Sequence, residues 1–268
     1  MVRSARRSIP LSSGRDARLK PPPFDYHAPV SIDEACALLG SLEDAKVLAG
    51  GQSLVPLLNF RLARPRHIVD INRAVGADRI YERDGGVAVG ALARQASVED
   101  SELVARICPL LPEALHLVAH RVIRNRGTVC GSLAHADPAS ELPAVLLALD
   151  GHVVARSIRG ERVIPANALF KGVFETALAS DELLVEAWFP ATSGDFAIAE
   201  ESRRHGDFAL AGVVLAAGRL ALFGVAPTPV LADRRDPTRG LAPSGDLEAT
   251  PEFRVHLVKV LTERILAA

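Results

Sequence analysis

Two runs of small residues are the places where the backbone of this sequence can approach a ligand closely. They are Ala49-Gly50-Gly51-Gln52-Ser53-Leu54 and Gly127-Thr128-Val129-Cys130-Gly131-Ser132. Glycine admits turns in which successive N–H groups converge, and a helix following such a turn adds favourable partial charge. An anion such as a diphosphate is then held without any lysine. The hydroxyls of Ser53, Thr128 and Ser132 add hydrogen-bonding groups. Either run alone is more often a plain connection between strand and helix. Together, separated by most of a domain, they suit a long dinucleotide gripped from two sides. Neither is a common nucleotide fingerprint, because no G-x-G-x-x-G follows a strand and no G-x-x-x-x-G-K-[ST] occurs.

Other chemistries find less support. His116 and His120 have the four-residue spacing of two metal ligands on one helix face, but no glutamate accompanies them as in H-E-x-x-H. Helix packing or surface exposure explains them. Ser53 lacks the second glycine of a G-x-S-x-G nucleophile elbow, since Val55 stands there, and a helix cap is its plain role. Cys36, Cys108 and Cys130 include no C-x-x-C pair, and three thiols cannot supply the four ligands of an ordinary iron–sulfur cluster. This cysteine usage fits a reducing cytoplasm. No catalytic residue and no metal ligand are nominated. Arg61, Arg64 and Arg66 form a basic cluster, and Arg121, Arg124 and Arg126 another beside the second loop. Solvated faces are the default for both; the position beside a loop suggests that at least one cluster touches a partner or the bound phosphates.

The elements that must position the loops can be read around them. Ser31 with Glu34 forms a capping box ahead of Ala35, Leu38, Leu39 and Leu42 at helical spacing. Val47 to Ala49 is a short strand leading into Gly50 and Gly51, and Ser53 can cap the next helix. Ile68 to Ile71 and Val87 to Ala91 read as strands, and Leu111 to Val118 as a helix. Asp137-Pro138 predicts a helix start. Val153 to Ser157 and Arg162 to Ile164 predict a hairpin, and Leu183 to Phe189 a strand. Pro190 to Gly194 is the expected linker. Beyond it lie apolar strands at 211–217 and 220–226 and a final helix capped by Thr250. That helix should bury Phe253, Leu257, Val260, Leu261 and Ile265.

Composition bounds the answer. The 268 residues allow one large or two modest domains, and 49% hydrophobic with 24% charged residues is ordinary for a globular protein. Lys plus Arg (31) balance Asp plus Glu (32), which leaves no excess for a nucleic-acid partner. No apolar run approaches the roughly 18 residues of a membrane span. Residues 1–20 read as a disordered basic tail, with Arg3, Arg6, Arg7, Arg15, Arg18 and Lys20 facing only Asp16.

The segments AGGQSLVPLLNFRLARP (Ala49 to Pro65) and IRNRGTVCGSLAHADPASELPA (Ile123 to Ala144) closely resemble the FAD-binding medium subunit of the carbon monoxide dehydrogenase and xanthine dehydrogenase family. FDYHAP (Phe24 to Pro29), RRHGDFALAG (Arg203 to Gly212), GVAPTPV (Gly224 to Val230) and EFRVHLVKVL (Glu252 to Leu261) extend the resemblance in the same order. It implies an α+β fold: a FAD-binding domain of the PCMH/vanillyl-alcohol-oxidase type over residues 21–192, in two subdomains (21–75 and 76–192). A small C-terminal domain (193–268) with a three-stranded antiparallel sheet and helices follows. It also implies that Ala49, Gly50, Gly51, Gln52, Ser53 and Leu54, with Gly127, Thr128, Cys130, Gly131 and Ser132, wrap the FAD diphosphate. Glu141 falls at the acidic position associated with the adenosine ribose, and Phe208 at a position near the isoalloxazine ring. Asp137 reads first as a helix cap and second as part of the flavin site.

The same resemblance implies partners: a molybdenum-cofactor large subunit and a small subunit with [2Fe-2S] clusters, assembled as a dimer of heterotrimers. FAD on this chain would collect electrons for an external acceptor. A free-standing flavin oxidoreductase and a flavin-free assembly subunit are the alternatives. Three departures from the pattern stand out. Cys130 replaces a glycine, at an expected cost on the order of 1 kcal/mol if that position needs positive φ. Gln52 replaces a histidine found in some relatives, and both donate hydrogen bonds. The C-terminal domain is shortened.

Overall fold

The structure is a computed structural model that describes residues 20–192 and 194–267. All of the expected tail except Lys20 lies outside these residues. The chain opens with β1 (Asp25–His27), α1 (Ile32–Ser41), β2 (Ala45–Leu48), α2 (Leu54–Asn59) and β3 (His67–Asp70). β1 and β2 both pair parallel with the central β3. Ser31 Oγ accepts from the Glu34 amide at 3.1 Å, while the Glu34 carboxylate reaches back to the Val30 amide at 2.8 Å. That is a capping box whose return bond falls one residue early. Leu48 is in register with Asp70, so the residues that follow both strands emerge at one sheet edge, where open parallel sheets bind ligands.

Next come β4 (Ile80–Arg83), β5 (Gly86–Gly90), α3 (Gln95–Glu99), α4 (Glu102–Ile107), α5 (Leu110–Leu117) and α6 (Arg121–Arg124). They are followed by α7 (Val129–His135), α8 (Glu141–Ala148), β6 (His152–Ser157) and β7 (Gly160–Pro165). After α9 (Ala166–Leu169) and the small hairpin of β8 (Phe170–Gly172) and β9 (Glu175–Thr176), β10 (Leu183–Pro190) returns between β5 and β6. The resulting sheet has the order β4-β5-β10-β6-β7.

Asp137-Pro138 does not start a helix. Ala136 turns left-handed (φ 53°) to end α7, and Asp137 Oδ1 accepts from the Ala139 amide at 2.9 Å in a local turn. Helix α8 therefore begins at Glu141, with Ser140 at its cap position. All of its residues from Glu141 to Ala148 are buried, as expected for a helix that is apolar all round.

The C-terminal portion corrects the three-stranded expectation. β11 (Ala197–Glu201), β12 (Ala211–Ala216), β13 (Arg219–Phe223) and β14 (Val230–Ala232) form a four-stranded antiparallel sheet in chain order. A single helix, α10 (Pro251–Ala267), accompanies it among the described residues. The two strands beyond those read at 211–217 and 220–226 lie at the edges, where β11 carries glutamates and β14 is three residues long, and so neither shows a strong apolar pattern. Thr250 caps α10 through the Phe253 amide at 3.2 Å. The buried stripe is Arg254, Leu257, Val258, Leu261, Thr262 and Ile265, while Phe253 faces outward at 43% exposure. Leu257, Leu261 and Ile265 are buried as expected, whereas Phe253 and Val260 give way to Val258, Thr262 and Arg254, whose guanidinium lies on the Leu210 and Gly224 carbonyls and Asp246. Val214, Ala216, Ala221 and Phe223 share one apolar core with α5, α7, α8 and the five-stranded sheet.

Candidate cofactor site

The two glycine loops meet. A methyl group on Gly50 would overlap the Arg126 carbonyl oxygen and lie 2.8 Å from Gly127 Cα. Only a residue without a side chain lets the loops abut in this way. Gly51 supplies the turn with φ +75°. The amides of Gly50, Gly51, Gln52 and Ser53 donate to no acceptor among the described residues, so four consecutive N–H groups are available to a ligand. Ala49 gives its carbonyl to Asn72 Nδ2 at 2.8 Å, Gln52 Nε2 bonds the Gly50 carbonyl at 3.1 Å, and Leu54 begins α2. Ser53 occupies the cap position of α2 without making a cap bond; its hydroxyl stays free for another partner.

The second loop is more committed internally. Thr128 Oγ1 accepts from the Gly131 amide at 3.0 Å, and a methyl on Gly131 would lie 2.5 Å from that oxygen. Ser132 and Ser140 share a hydroxyl–hydroxyl bond of 3.0 Å, which ties the end of the loop to the start of α8. Cys130 lies within α7 and is not among the residues of positive φ. The expected strain is therefore absent. Its thiol is buried against the Val89 carbonyl at 3.4 Å, and burial holds its pKa far above the ordinary thiol value. Its side chain belongs to the core, and its backbone alone borders the loop.

Glu141, the first residue of α8, is buried. Burial, reinforced by the nearby Glu200 charge, raises its pKa to about 8. Glu200 itself is raised to about 7 by burial, and its Oε2 has no hydrogen-bond partner among the described residues. Phe208 sits on a separate loop between β11 and β12 and is 69% exposed. That loop is seated at the approach to α6: Gly206 packs on the His120 ring, and the His120 and His205 rings lie 5.5 Å apart.

Sequence reasoning missed the residues that join the loops. Asn72, just beyond β3, and Arg94, just ahead of α3, bond each other at 2.6 Å. Arg94 also donates to the Arg126 carbonyl at 2.8 Å. Gln95 donates its amide to the Gly127 carbonyl at 2.8 Å, and its buried Oε1 lacks a partner. A polar Asp70–Asn72 turn at the carboxyl end of a parallel strand was the available signal. Of the second basic cluster, Arg124 is buried in a bidentate pair with Glu99 and also bonds the Val118 and Ala119 carbonyls. Arg121 joins the same carboxylate and Asp100, so both arginines hold structure. Two open cavities, of about 670 and 340 Å³, lie at the β13–β14 edge and beside β4, away from both loops.

This geometry fits a dinucleotide held through its diphosphate, with abutting glycine backbones, unpaired amides and a buried acid beyond the second loop. Residues 22–192 match the model of the FAD binding domain in molybdopterin dehydrogenase. The chain is 38% identical to the 6-hydroxypseudooxynicotine dehydrogenase complex subunit alpha of Paenarthrobacter nicotinovorans, over 93% of this chain and 95% of that one. It is 43% identical to the nicotine 6-hydroxylase medium subunit of the same organism, over 74% and 70%. It superposes with TM-score 0.88 and 35% identity on a chain of the carbon monoxide dehydrogenase from Hydrogenophaga pseudoflava that lacks the Mo-pyranopterin moiety, covering 92% of this chain and 97% of that one. The chain therefore belongs to the FAD-binding medium subunits of the molybdenum hydroxylase family, the carbon monoxide dehydrogenase and xanthine dehydrogenase type.

Proposed function

We propose that this chain carries FAD between its two glycine loops and relays electrons from the iron–sulfur clusters of a small subunit to an external acceptor, while a molybdenum large subunit oxidises the substrate. The abutment of Gly50 on Arg126 and Gly127 carries the reading, because it brings two distant sequence segments together into one site. The free amides of Gly50 to Ser53 would hold one face of that group, and the Ser53 hydroxyl would add a donor. Ser132 and the backbone of Gly127 to Gly131 would border the other face.

Glu141, largely protonated at neutral pH, would face the ribose hydroxyls as either donor or acceptor. Phe208 would offer an exposed apolar ring to the flavin end. Bound FAD supplies a centre that accepts electrons singly or in pairs, and the protein's part is to place and tune it. No side chain near the loops is assigned as a general acid or base. The buried thiols of Cys36, Cys108 and Cys130 remain unpaired, which suits assembly in a reducing cytoplasm. A dimer of heterotrimers is the assembly we infer.

The test is to purify the chain with and without candidate large and small subunits, titrate FAD, and follow flavin bleaching under anaerobic substrate. The proposal requires about one FAD per chain and bleaching only when all three subunits are present. Turnover by the chain alone would make it a free-standing oxidoreductase. Failure to take up FAD in any assembly would make it a scaffold.

A further inference from the structure

The carbonyls that precede the two key glycines are each held by a side chain from elsewhere. Asn72 Nδ2 donates to the Ala49 carbonyl at 2.8 Å, and Arg94 Nη1 to the Arg126 carbonyl at 2.8 Å. The two anchors are themselves joined, Arg94 Nη2 to Asn72 Oδ1 at 2.6 Å. Behind them, Asp70 Oδ1 accepts from the side chain and the backbone amide of Asn72 at 2.6 and 2.9 Å, and Asp70 Oδ2 accepts from the Tyr26 hydroxyl at 2.6 Å. A continuous hydrogen-bonded chain thus runs from β1 through β3 to both loops.

A peptide unit is planar and trans, so fixing the direction of a carbonyl fixes the opposite direction of the N–H that follows it. Anchoring the Ala49 carbonyl therefore aims the Gly50 amide, which is one of the unpaired donors. On the second loop the Gly127 amide is already taken by the Ile123 carbonyl at 2.7 Å. There the Arg94 bond sets where the loop stands. The guanidinium also brings charge: Arg94 is half-buried, forms no ion pair among the described residues, and has Arg126 as a cationic neighbour, with Asp70 and Asp78 as carboxylates farther off. A cation without a direct carboxylate partner favours a negative group nearby.

We propose that Arg94 and Asn72 are positioning residues that brace the two glycine loops at one separation and aim the Gly50 amide at the diphosphate of FAD. This rests on the reading that the loops hold that diphosphate. Lysine cannot replace Arg94, because a compact ammonium on a flexible stem does not span the Arg126 carbonyl and Asn72 Oδ1 as a planar fork does.

The experiment compares the full chain with Arg94→Lys, Arg94→Ala, Asn72→Ala and the double Arg94→Ala/Asn72→Ala variant. FAD is titrated by fluorescence, and phosphorus-31 spectra are recorded for the bound fraction. Tyr81→Phe, which removes the Tyr81–Glu186 bond on the five-stranded sheet, serves as a control. Each single variant should bind FAD about ten- to a hundredfold more weakly, the range of one charged hydrogen bond. The double variant should be no more than about threefold weaker than the worse single one, because both changes cut the same tie. The two phosphorus resonances should move in Arg94→Lys and stay fixed in Tyr81→Phe, a response that mere loss of stability would not produce. Wild-type affinity and spectra in Arg94→Lys, or additive losses in the double variant, would overturn the brace. Wild-type protein that takes up no FAD would instead remove the parent reading, and the brace with it.

Discussion

Replacing Gly50 by alanine asks the two loops to part. The new methyl carbon would sit 2.8 Å from Gly127 Cα and overlap the Arg126 carbonyl oxygen. Carbon atoms rest about 3.5 to 4.0 Å apart, so a separation of about 1 Å must open. Both obstacles are backbone, and no rotamer change relieves them. Gly50 does not have positive φ, so the cost is the overlap and carries no conformational penalty. Overpacking of this kind costs about 1 to 3 kcal/mol. If the loops must close on the diphosphate, the same energy returns as a loss of FAD affinity of about five- to 150-fold. Titration of apo-protein by flavin fluorescence measures it, with Gly40→Ala in helix α1 as control, since that methyl would make an ordinary 3.4 Å contact with the Ile158 side chain. Gly50→Ala protein that folds and binds FAD within about twofold of wild type would refute the argument that loop contact governs binding.

Further outcomes follow from the same geometry. Glu141 keeps its proton in the fold up to about pH 8 but loses it near its ordinary value in the unfolded chain. The apo-protein should therefore lose stability as pH rises between about 5 and 8; in Glu141→Gln that slope should flatten, with a gain on the order of 2 to 4 kcal/mol at pH 8 by denaturant unfolding. Arg124→Ala removes the buried guanidinium that bonds Glu99 and the Val118 and Ala119 carbonyls, leaving Arg121 on the carboxylate, and should cost about 1 to 3 kcal/mol, about 5 °C in melting midpoint. Arg126→Ala, at an exposed side chain, should move the midpoint by only about 1 °C. Cys130→Ala should leave FAD affinity unchanged, because the thiol faces the Val89 carbonyl, whereas Cys130→Gly should lower stability by about 1 kcal/mol or more from helix propensity alone. All three thiols should react with an aromatic disulfide reagent only on unfolding.

Local grammar was legible in the sequence, and long-range grammar was not. Ser31 and Thr250 announce their helices because a cap bond closes within three residues. Gly50-Gly51 announces its turn for the same local reason. Asp137-Pro138 misled because an acidic residue before proline serves a turn as readily as a helix, and the left-handed Ala136 decided between them. The φ of Cys130 was set by Thr128, whose hydroxyl captures the Gly131 amide and places the cysteine inside a helix. Asn72 and Arg94 are 22 positions apart and meet only when β3 and α3 are placed, so no periodicity could pair them. The edge strand β11 was invisible because its glutamates break the apolar alternation, and tertiary pairing with β12 supplies what propensity does not.

Helix α8 touches β12, β13 and β14 on one side and α5, α7 and α9 on the other. During synthesis its apolar surface emerges from the ribosome well before the strands that cover it have been translated. Until Phe223 and its neighbours arrive, the nascent polypeptide presents a sticky cylinder to its surroundings, the situation in which chaperones hold unfinished proteins. Recombinant fragments that stop before β12 inherit that surface permanently, and inclusion bodies are their natural fate.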